Sequence, residues 1–107
     1  MTTSADPRLA LDTLAAEYAR RVEAIRHDLG RSHAASFPEQ AVARQNDEVL
    51  HALLGEAEDG LRQVERARLR LAEGSYGLCT VCGEPIAAAR LQALPAAERC
   101  PGCAAGD

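Results

Sequence analysis

The sequence has no lysine and no tryptophan, and its 107 residues include only two tyrosines and one phenylalanine. Hydrophobic residues make up 47% of the chain, but alanine dominates them, so a large core built on aromatic side chains is excluded. The chain has no run of 18 apolar residues, and its N-terminus lacks the cationic start and apolar stretch of a signal peptide. We therefore expect a small, helix-rich protein of the cytoplasm that does not associate with membranes.

A dominant basic patch is also missing. Twelve arginines stand against sixteen acidic residues, which gives a formal net charge of −4. Because binding to a nucleic-acid backbone needs clustered cations, we expect no direct DNA binding and favour a protein partner. The sequence also lacks a glycine-rich phosphate loop and a Ser/His/Asp set in a supporting context, so we do not expect an enzyme.

A first helix is predicted from Pro7 to about Leu29. Asp6 is an N-cap candidate before the one helical position that favours proline, and Gly30 ends the pattern. Between these signals, apolar residues recur every three or four positions, as in an amphipathic helix. They are Leu11, Leu14, Tyr18, Val22, Ile25 and Leu29.

A second, longer helix is predicted from Ser36 to Glu73. Ser36 and Glu39 have the spacing of a capping box, and Gly74 is placed to end the helix. An apolar seam with alternating steps of four and three residues runs along it, as in a coiled coil. Its members are Leu50, Leu54, Ala57, Leu61, Val64 and Leu71, with Arg68 at the interrupted step.

A short connection makes two consecutive helices antiparallel. If the hairpin closes at residue 36, facing positions have numbers that sum to about 72. Tyr18 then faces Leu54, and Arg68 lies beyond the first helix in solvent. Gly55 and Gly60 lie inside the second helix at a cost of about 1 kcal/mol each relative to alanine, and the sequence gives no reason for them.

The arginines at positions 62, 66 and 70 form a row at i,i+4 spacing on the second helix. This row could dock on an acidic surface. The sequence favours a simpler interpretation, in which Glu58 and Glu65 balance a solvated helix face.

All four cysteines lie near the C-terminus, in two C-x2-C motifs separated by seventeen residues. They are Cys79, Cys82, Cys100 and Cys103. This spacing is typical of a zinc site, with Gly83 and Gly102 supplying backbone freedom. Four thiolates leave no coordination position for water or substrate, so we expect one structural zinc ion. A pair of redox dithiols is the alternative, but the βαβ context that it needs is not apparent.

These patterns predict an all-α protein with two parts. Residues 1–73 form an antiparallel two-helix coiled-coil hairpin with its tip near residues 30–41, and residues 74–107 form a C4-type zinc finger. The block GSYGLCTVCGEPI at 74–86, followed by RLQALP at 90–95 and CPGC at 100–103, resembles the DksA/TraR family of zinc-finger regulators. Tyr76 matches an aromatic position of that family and is expected to pack where helix meets finger.

The resemblance implies a zinc finger that carries an antiparallel coiled coil. Members of the family insert this coiled coil into the secondary channel of bacterial RNA polymerase and alter transcription initiation without binding DNA. The family's tip motif, Asp-x-x-Asp-x-Ala, falls on Ser36, Glu39 and Ala41. Ala41 is identical, Glu39 keeps the carboxylate, and Ser36 lacks the first charge. Glu39 could act on polymerase or only complete its capping box, and both roles stay open.

The resemblance makes RNA polymerase the expected partner of a monomeric regulator. The alarmone ppGpp is left open as a ligand, because the chain lacks the long N-terminal extension and the last helix of full-length members. Two other functions also stay open. The chain could be a zinc-dependent thiol redox switch, or a protein-binding zinc-finger adaptor without polymerase activity.

Overall fold

The structure is a computed structural model that describes residues 6–31 and 37–105, without the side chains of residues 37–43. Within these residues, four helices follow one another: α1 (Pro7–Gly30), α2 (Phe37–Glu73), α3 (Ala88–Ala93) and α4 (Pro101–Ala105). In this described part, no helix is long and apolar enough to cross a membrane. The predicted all-α class, with two long antiparallel helices and a small cysteine module, is confirmed.

The ends of the long helices follow the local signals in the sequence. Asp6 caps α1 by accepting a hydrogen bond from the Arg8 backbone N–H at 3.0 Å. At the end of α2, Gly74 has a φ of 87° and donates to Leu71 O at 3.4 Å, while the Ser75 N–H donates to Arg70 O at 2.9 Å. These two bonds form a Schellman motif, which requires the left-handed conformation that glycine adopts without strain.

The residues cluster in two compact units. We call residues 16–61 the hairpin unit, and residues 1–15 with 62–107 the finger unit. In each unit, a stretch of α1 packs with a stretch of α2. The division into a hairpin over residues 1–73 and a finger over residues 74–107 stays a prediction.

The seam of the hairpin unit combines small residues with the ring of Tyr18. Val22 and Ala57 are buried in it, and Arg26 Nη2 donates to Glu58 Oε2 at 2.8 Å on its surface. Gly60 has a specific role here. A Cβ at position 60 would lie 2.5 Å from the ring of Tyr18, so the aromatic side chain fits only against glycine. The structure thus supplies the reason for Gly60 that the sequence does not.

The register of the helices differs from the sequence estimate. In the hairpin unit, Tyr18 contacts Gly60 and Arg26 pairs with Glu58, so facing residue numbers sum to 78 and 84, not to about 72. In the finger unit, Arg68 Nη2 lies 3.0 Å from Asp12 Oδ1, and Arg68 is not left alone in solvent as predicted. The estimate assumed that the second helix turns back directly at residue 36, whereas the fit of side chains across the seam sets the register.

The core of the finger unit joins both long helices to the cysteine module. Its buried hydrophobic residues are Leu11, Ala15, Val64, Ala67, Cys79, Ile86 and Ala97. Leu11 and Val64 are the largest side chains that are fully buried. Gln63 also donates from Nε2 to Ala96 O at 3.3 Å, which attaches α2 to the loop before the second pair of cysteines.

Candidate metal centre

A tight turn presents the first pair of cysteines. The Cys79 N–H donates to Glu84 O at 2.8 Å, and the Gly83 N–H donates back to Cys79 O at 3.0 Å. Gly83 closes the turn with a φ of 78°, a conformation that strains residues with a Cβ. Just outside the turn, Leu78 and Pro85 form an antiparallel bridge. These backbone contacts therefore fix the shape of the turn that carries both sulfurs.

The second pair of cysteines lies at the start of α4. Pro101 occupies the first helical position, where its missing N–H costs nothing, and the Ala104 N–H donates to Cys100 O at 2.9 Å. Gly102 lies inside this short helix and is not among the glycines with positive φ. The expectation that Gly102 supplies special backbone freedom is therefore wrong, because a helical turn already points both sulfurs the same way.

The two pairs meet in one group of sulfur atoms. All four Sγ atoms lie within 4.8 Å of one another, and Cys82 Sγ lies 3.8 Å from Cys100 Sγ. A tetrahedral ion with Zn–S bonds of about 2.3 Å requires sulfur separations of about 3.8 Å. The donor set and this separation fit zinc. The four cysteines could hold one metal ion, and zinc is the expected ion.

Hydrogen bonds make the four thiols unequal. The Cys79 sulfur accepts hydrogen bonds from the backbone N–H groups of Cys82 at 3.5 Å and Val81 at 3.4 Å. Backbone donors, that of Cys82 first, lower the pKa of Cys79 to about 6. The side-chain hydrogen bond with Cys100 contributes most to raising the pKa of Cys103 to about 12. Since only thiolates bind metal, Cys79 is the ligand that is most easily deprotonated, and the raised pKa of Cys103 makes its deprotonation less favourable.

Glu98 connects the metal centre to α2. Its backbone oxygen accepts the Thr80 N–H at 2.8 Å, which ties the first pair of cysteines to the segment before the second pair. Its carboxylate accepts two hydrogen bonds from Arg66, at 3.0 and 2.8 Å, and one from Arg70 at 3.4 Å. The hydrogen bonds from Arg66 are the main reason why the pKa of Glu98 lies below its ordinary value.

For Arg66 and Arg70, the predicted balance of the arginine row by Glu58 and Glu65 is incorrect. Glu58 pairs with Arg26, and Glu65 pairs with Arg68 at 2.9 Å. Arg66 and Arg70 instead pair with Glu98, which lies 32 and 28 residues away in the sequence. Sequence reasoning missed Glu98 because helix periodicity shows only neighbours three or four positions apart. The sequence points to Glu98 only by its position, two residues before Cys100.

Tyr76 has the predicted place between helix and finger. Its hydroxyl donates to Pro95 O at 2.8 Å, and burial is the main cause that raises its pKa above 10.0. The bond joins the turn after α2 to the start of the loop after α3.

The predicted site residues divide into two groups. The structure brings the four cysteines together. Ser36 lies outside the described residues, and so do the side chains of Glu39 and Ala41, whose backbone belongs to the first turns of α2. The prediction that these three residues bind a partner stays a prediction.

Comparisons with known proteins agree with this geometry. Residues 74–107 match the family model described as prokaryotic dksA/traR C4-type zinc finger. The fold is similar to that of transcription factor DksA2 from Pseudomonas aeruginosa, with a TM-score of 0.82 and 28% sequence identity over 94% of this chain and 78% of that chain. No curated protein matches the chain in sequence. The family match covers the cysteine module and the structural match covers both long helices, so the chain carries a cysteine module that matches the dksA/traR C4-type zinc finger and has a fold similar to that of DksA2.

Proposed function

We propose that this chain is a non-enzymatic transcription regulator that binds bacterial RNA polymerase, with its helical hairpin inserted in the secondary channel. The observation that carries this proposal is the similarity to transcription factor DksA2 over 94% of the chain, together with the matching finger at residues 74–107. Both comparisons fit a transcription regulator. The likeness includes the two long helices and is not limited to the cysteine module.

The metal centre supports a structural role for zinc within this function. We propose Cys79, Cys82, Cys100 and Cys103 as the ligands of one zinc ion. Four sulfur ligands complete a tetrahedral shell, so the ion has no open position at which to activate water or bind a substrate. Zinc then stabilises the finger, and the regulatory effect comes from contacts that the chain makes with polymerase.

The residues proposed to contact polymerase are Ser36, Glu39 and Ala41. Two of them belong to the first turns of α2, next to the connection from α1. Glu39 is the main candidate, because a carboxylate can pair with basic side chains of the partner or alter the field around a catalytic magnesium ion. The proposed regulator acts as a monomer in the cytoplasm and does not contact DNA, consistent with its net charge of −4.

Competition for RNA polymerase tests this proposal. The full chain, loaded with zinc, is titrated against polymerase holoenzyme carrying a labelled secondary-channel factor, with and without ppGpp. We expect the wild type to displace the labelled factor. We expect Glu39→Arg to bind at least tenfold more weakly or to lose its effect on transcription. Glu73→Arg is the matched control, since it makes the same charge reversal at the other end of α2.

Each result has a definite meaning. If the wild type fails to compete at micromolar concentrations, the proposed partner is wrong. If Glu39→Arg and Glu73→Arg behave like the wild type in binding and in transcription, the channel assignment holds and Glu39 only caps its helix. A change with ppGpp present identifies the alarmone as a ligand of the complex.

A further inference from the structure

We propose that Glu98 couples the metal centre to the C-terminal turns of α2, so that zinc binding fixes Arg66 and Arg70 against the finger. Glu98 lies two residues before Cys100, and its main chain and side chain bind different partners. The backbone oxygen receives the Thr80 N–H from the turn of the first cysteine pair at 2.8 Å. The carboxylate receives Arg66 and Arg70 from α2.

The contact with Arg66 has the geometry of a strong ion pair. Both oxygens of Glu98 are used, one by Nε at 3.0 Å and one by Nη2 at 2.8 Å. Two parallel hydrogen bonds fix the angle between the guanidinium and the carboxylate, so the pair restrains orientation as well as distance. The Glu98 side chain is 22% exposed and that of Arg66 is 54% exposed, so solvent partly screens this pair.

Arg70 strengthens the coupling, because its charged side chain is mostly buried and relies on Glu98 for a compensating negative charge. The Arg70 side chain is 13% exposed, and its Nε and Nη2 are buried without a hydrogen-bond partner among the described residues. Its Nη1 lies 3.4 Å from Glu98 Oε1. A buried cation with so few partners is tolerated only beside a compensating charge. If the segment before Cys100 moves away from α2, the Glu98 carboxylate no longer lies beside Arg70, and the last turns of α2 have to rearrange.

Coupling of this kind is reciprocal. Zinc holds Cys100 and thereby holds Glu98 beside α2, and the arginines of α2 hold Glu98 in the position that suits Cys100. Glu98 is therefore a positioning residue that does not touch the metal. This inference concerns the finger unit alone and does not depend on whether the chain binds polymerase.

Zinc transfer to a chromogenic chelator, with the full chain loaded with one zinc, tests whether the contacts of Glu98 with α2 help to hold the metal. We expect Glu98→Gln to lose zinc about 5-fold faster than the wild type or more, since typical couplings change affinity by at least this factor and affinity changes act mainly through the dissociation rate. Glu65→Gln, which changes an acid on α2 that does not pair with the finger, is the matched control and is expected to match the wild type. A Glu98→Gln rate within twofold of the wild-type rate would overturn the proposal.

A double variant separates coupling from simple loss of a contact. Glu98→Gln/Arg70→Met removes the unpaired cation as well, so zinc loss is expected to slow again toward the wild-type rate. If the double variant loses zinc as fast as Glu98→Gln, the buried charge of Arg70 is not the coupling element, and the proposal fails in that part. If Glu98→Gln does not fold, Arg66→Gln removes part of the same contact, and its rate of zinc loss is compared with that of the control Arg68→Gln.

Amide hydrogen exchange at residues 66–73 tests the reverse direction. We expect removal of zinc from the wild type to speed exchange there at least 5-fold. In Glu98→Gln, where the connection is already broken, zinc removal is expected to change exchange much less. Equal effects of zinc removal in the wild type and in Glu98→Gln, or no effect in the wild type, would show that α2 does not respond to the metal through Glu98.

Discussion

The hairpin unit and the finger unit both contain stretches of α1 and α2, yet they are stabilised in different ways. In the described part of the hairpin unit, the buried side chains are Val22 and Ala57. The finger unit buries Leu11 and Val64 completely, adds hydrogen bonds between distant segments, and has four sulfurs placed for a metal. Burial of so few large apolar groups stabilises a chain this small only weakly. The difference predicts that removal of the metal disturbs the finger unit, which has the four sulfurs, and leaves the hairpin unit, whose described residues form no such group, largely unchanged.

Removal of one metal ligand should change the finger unit most. Cys82→Ser leaves three thiolates, and structural zinc sites contribute roughly 10–16 kcal/mol of apparent binding free energy that stabilises the fold. We expect zinc content to fall from one ion per chain to a small fraction, and amide protection over residues 74–105 to be lost. Inductively coupled plasma mass spectrometry and hydrogen exchange measure the two effects.

Val81→Ala is the control for Cys82→Ser, because Val81 lies in the same turn and is 65% exposed. It should keep both zinc and protection. Residues 16–30 and 44–61 should change little in either variant. If the hairpin unit lost as much protection as the finger unit in Cys82→Ser, the two units would depend on the metal equally, and the comparison above would be wrong.

Gly60 is the position where the hairpin unit should be easiest to disturb. Gly60→Ala gains about 1 kcal/mol of helix propensity, but the new Cβ would lie 2.5 Å from the Tyr18 ring, and overpacking costs about 1–3 kcal/mol. We expect a net destabilisation of about 1 kcal/mol in urea unfolding followed by circular dichroism.

Gly55→Ala is the matched control, since a Cβ there meets nothing within 4 Å. It should stabilise the protein by about 1 kcal/mol. Adding Tyr18→Ala to Gly60→Ala should remove the clash, so Gly60→Ala should then be favourable in the Tyr18→Ala background. A stabilising Gly60→Ala in the wild-type background would mean that the ring moves aside at no cost.

Tyr76 tests a single polar contact in the finger unit. Tyr76→Phe removes the hydrogen bond to Pro95 O and should cost about 1 kcal/mol at neutral pH. Burial raises the pKa of Tyr76 above 10.0, against a smaller opposing effect of Arg70. The stabilisation from the buried phenol is thus complete below pH 10 and is lost as the pH rises through the raised pKa.

Thermal unfolding of the zinc-loaded protein between pH 7 and 11 measures both effects of Tyr76→Phe. The wild type should lose more stability above pH 10 than the variant does. Tyr18→Phe changes the other tyrosine of the chain, which lies in the hairpin unit. This variant should lose stability above pH 10 as the wild type does. An identical alkaline loss in Tyr76→Phe and the wild type would show that another group causes it.

The parts that sequence reasoning predicted are those encoded by short-range signals. Asp6 with Pro7 and Gly74 mark helix ends because caps act within a few residues of the chain. The cysteine spacing predicts a metal centre because each C-x2-C forms its own turn. The register was wrong because it depends on which side chains fit across the seam, as Tyr18 and Gly60 show. Glu98 was missed for the same reason, since its partners lie 28 and 32 residues away.

The smallest expected effects come from exposed ion pairs, and they sharpen the comparison because both units have such pairs between α1 and α2. Asp12→Asn breaks the pair with Arg68 in the finger unit, and Glu58→Gln breaks the pair with Arg26 in the hairpin unit. Water screens both pairs, so each change should cost less than about 1 kcal/mol in urea unfolding and still less in high salt. Glu23→Gln, at an exposed position, is the control. If both changes have equally small costs, the difference in stability between the units comes from the metal and the buried contacts. A cost above about 2 kcal/mol in only one unit would show that surface ion pairs contribute to that difference.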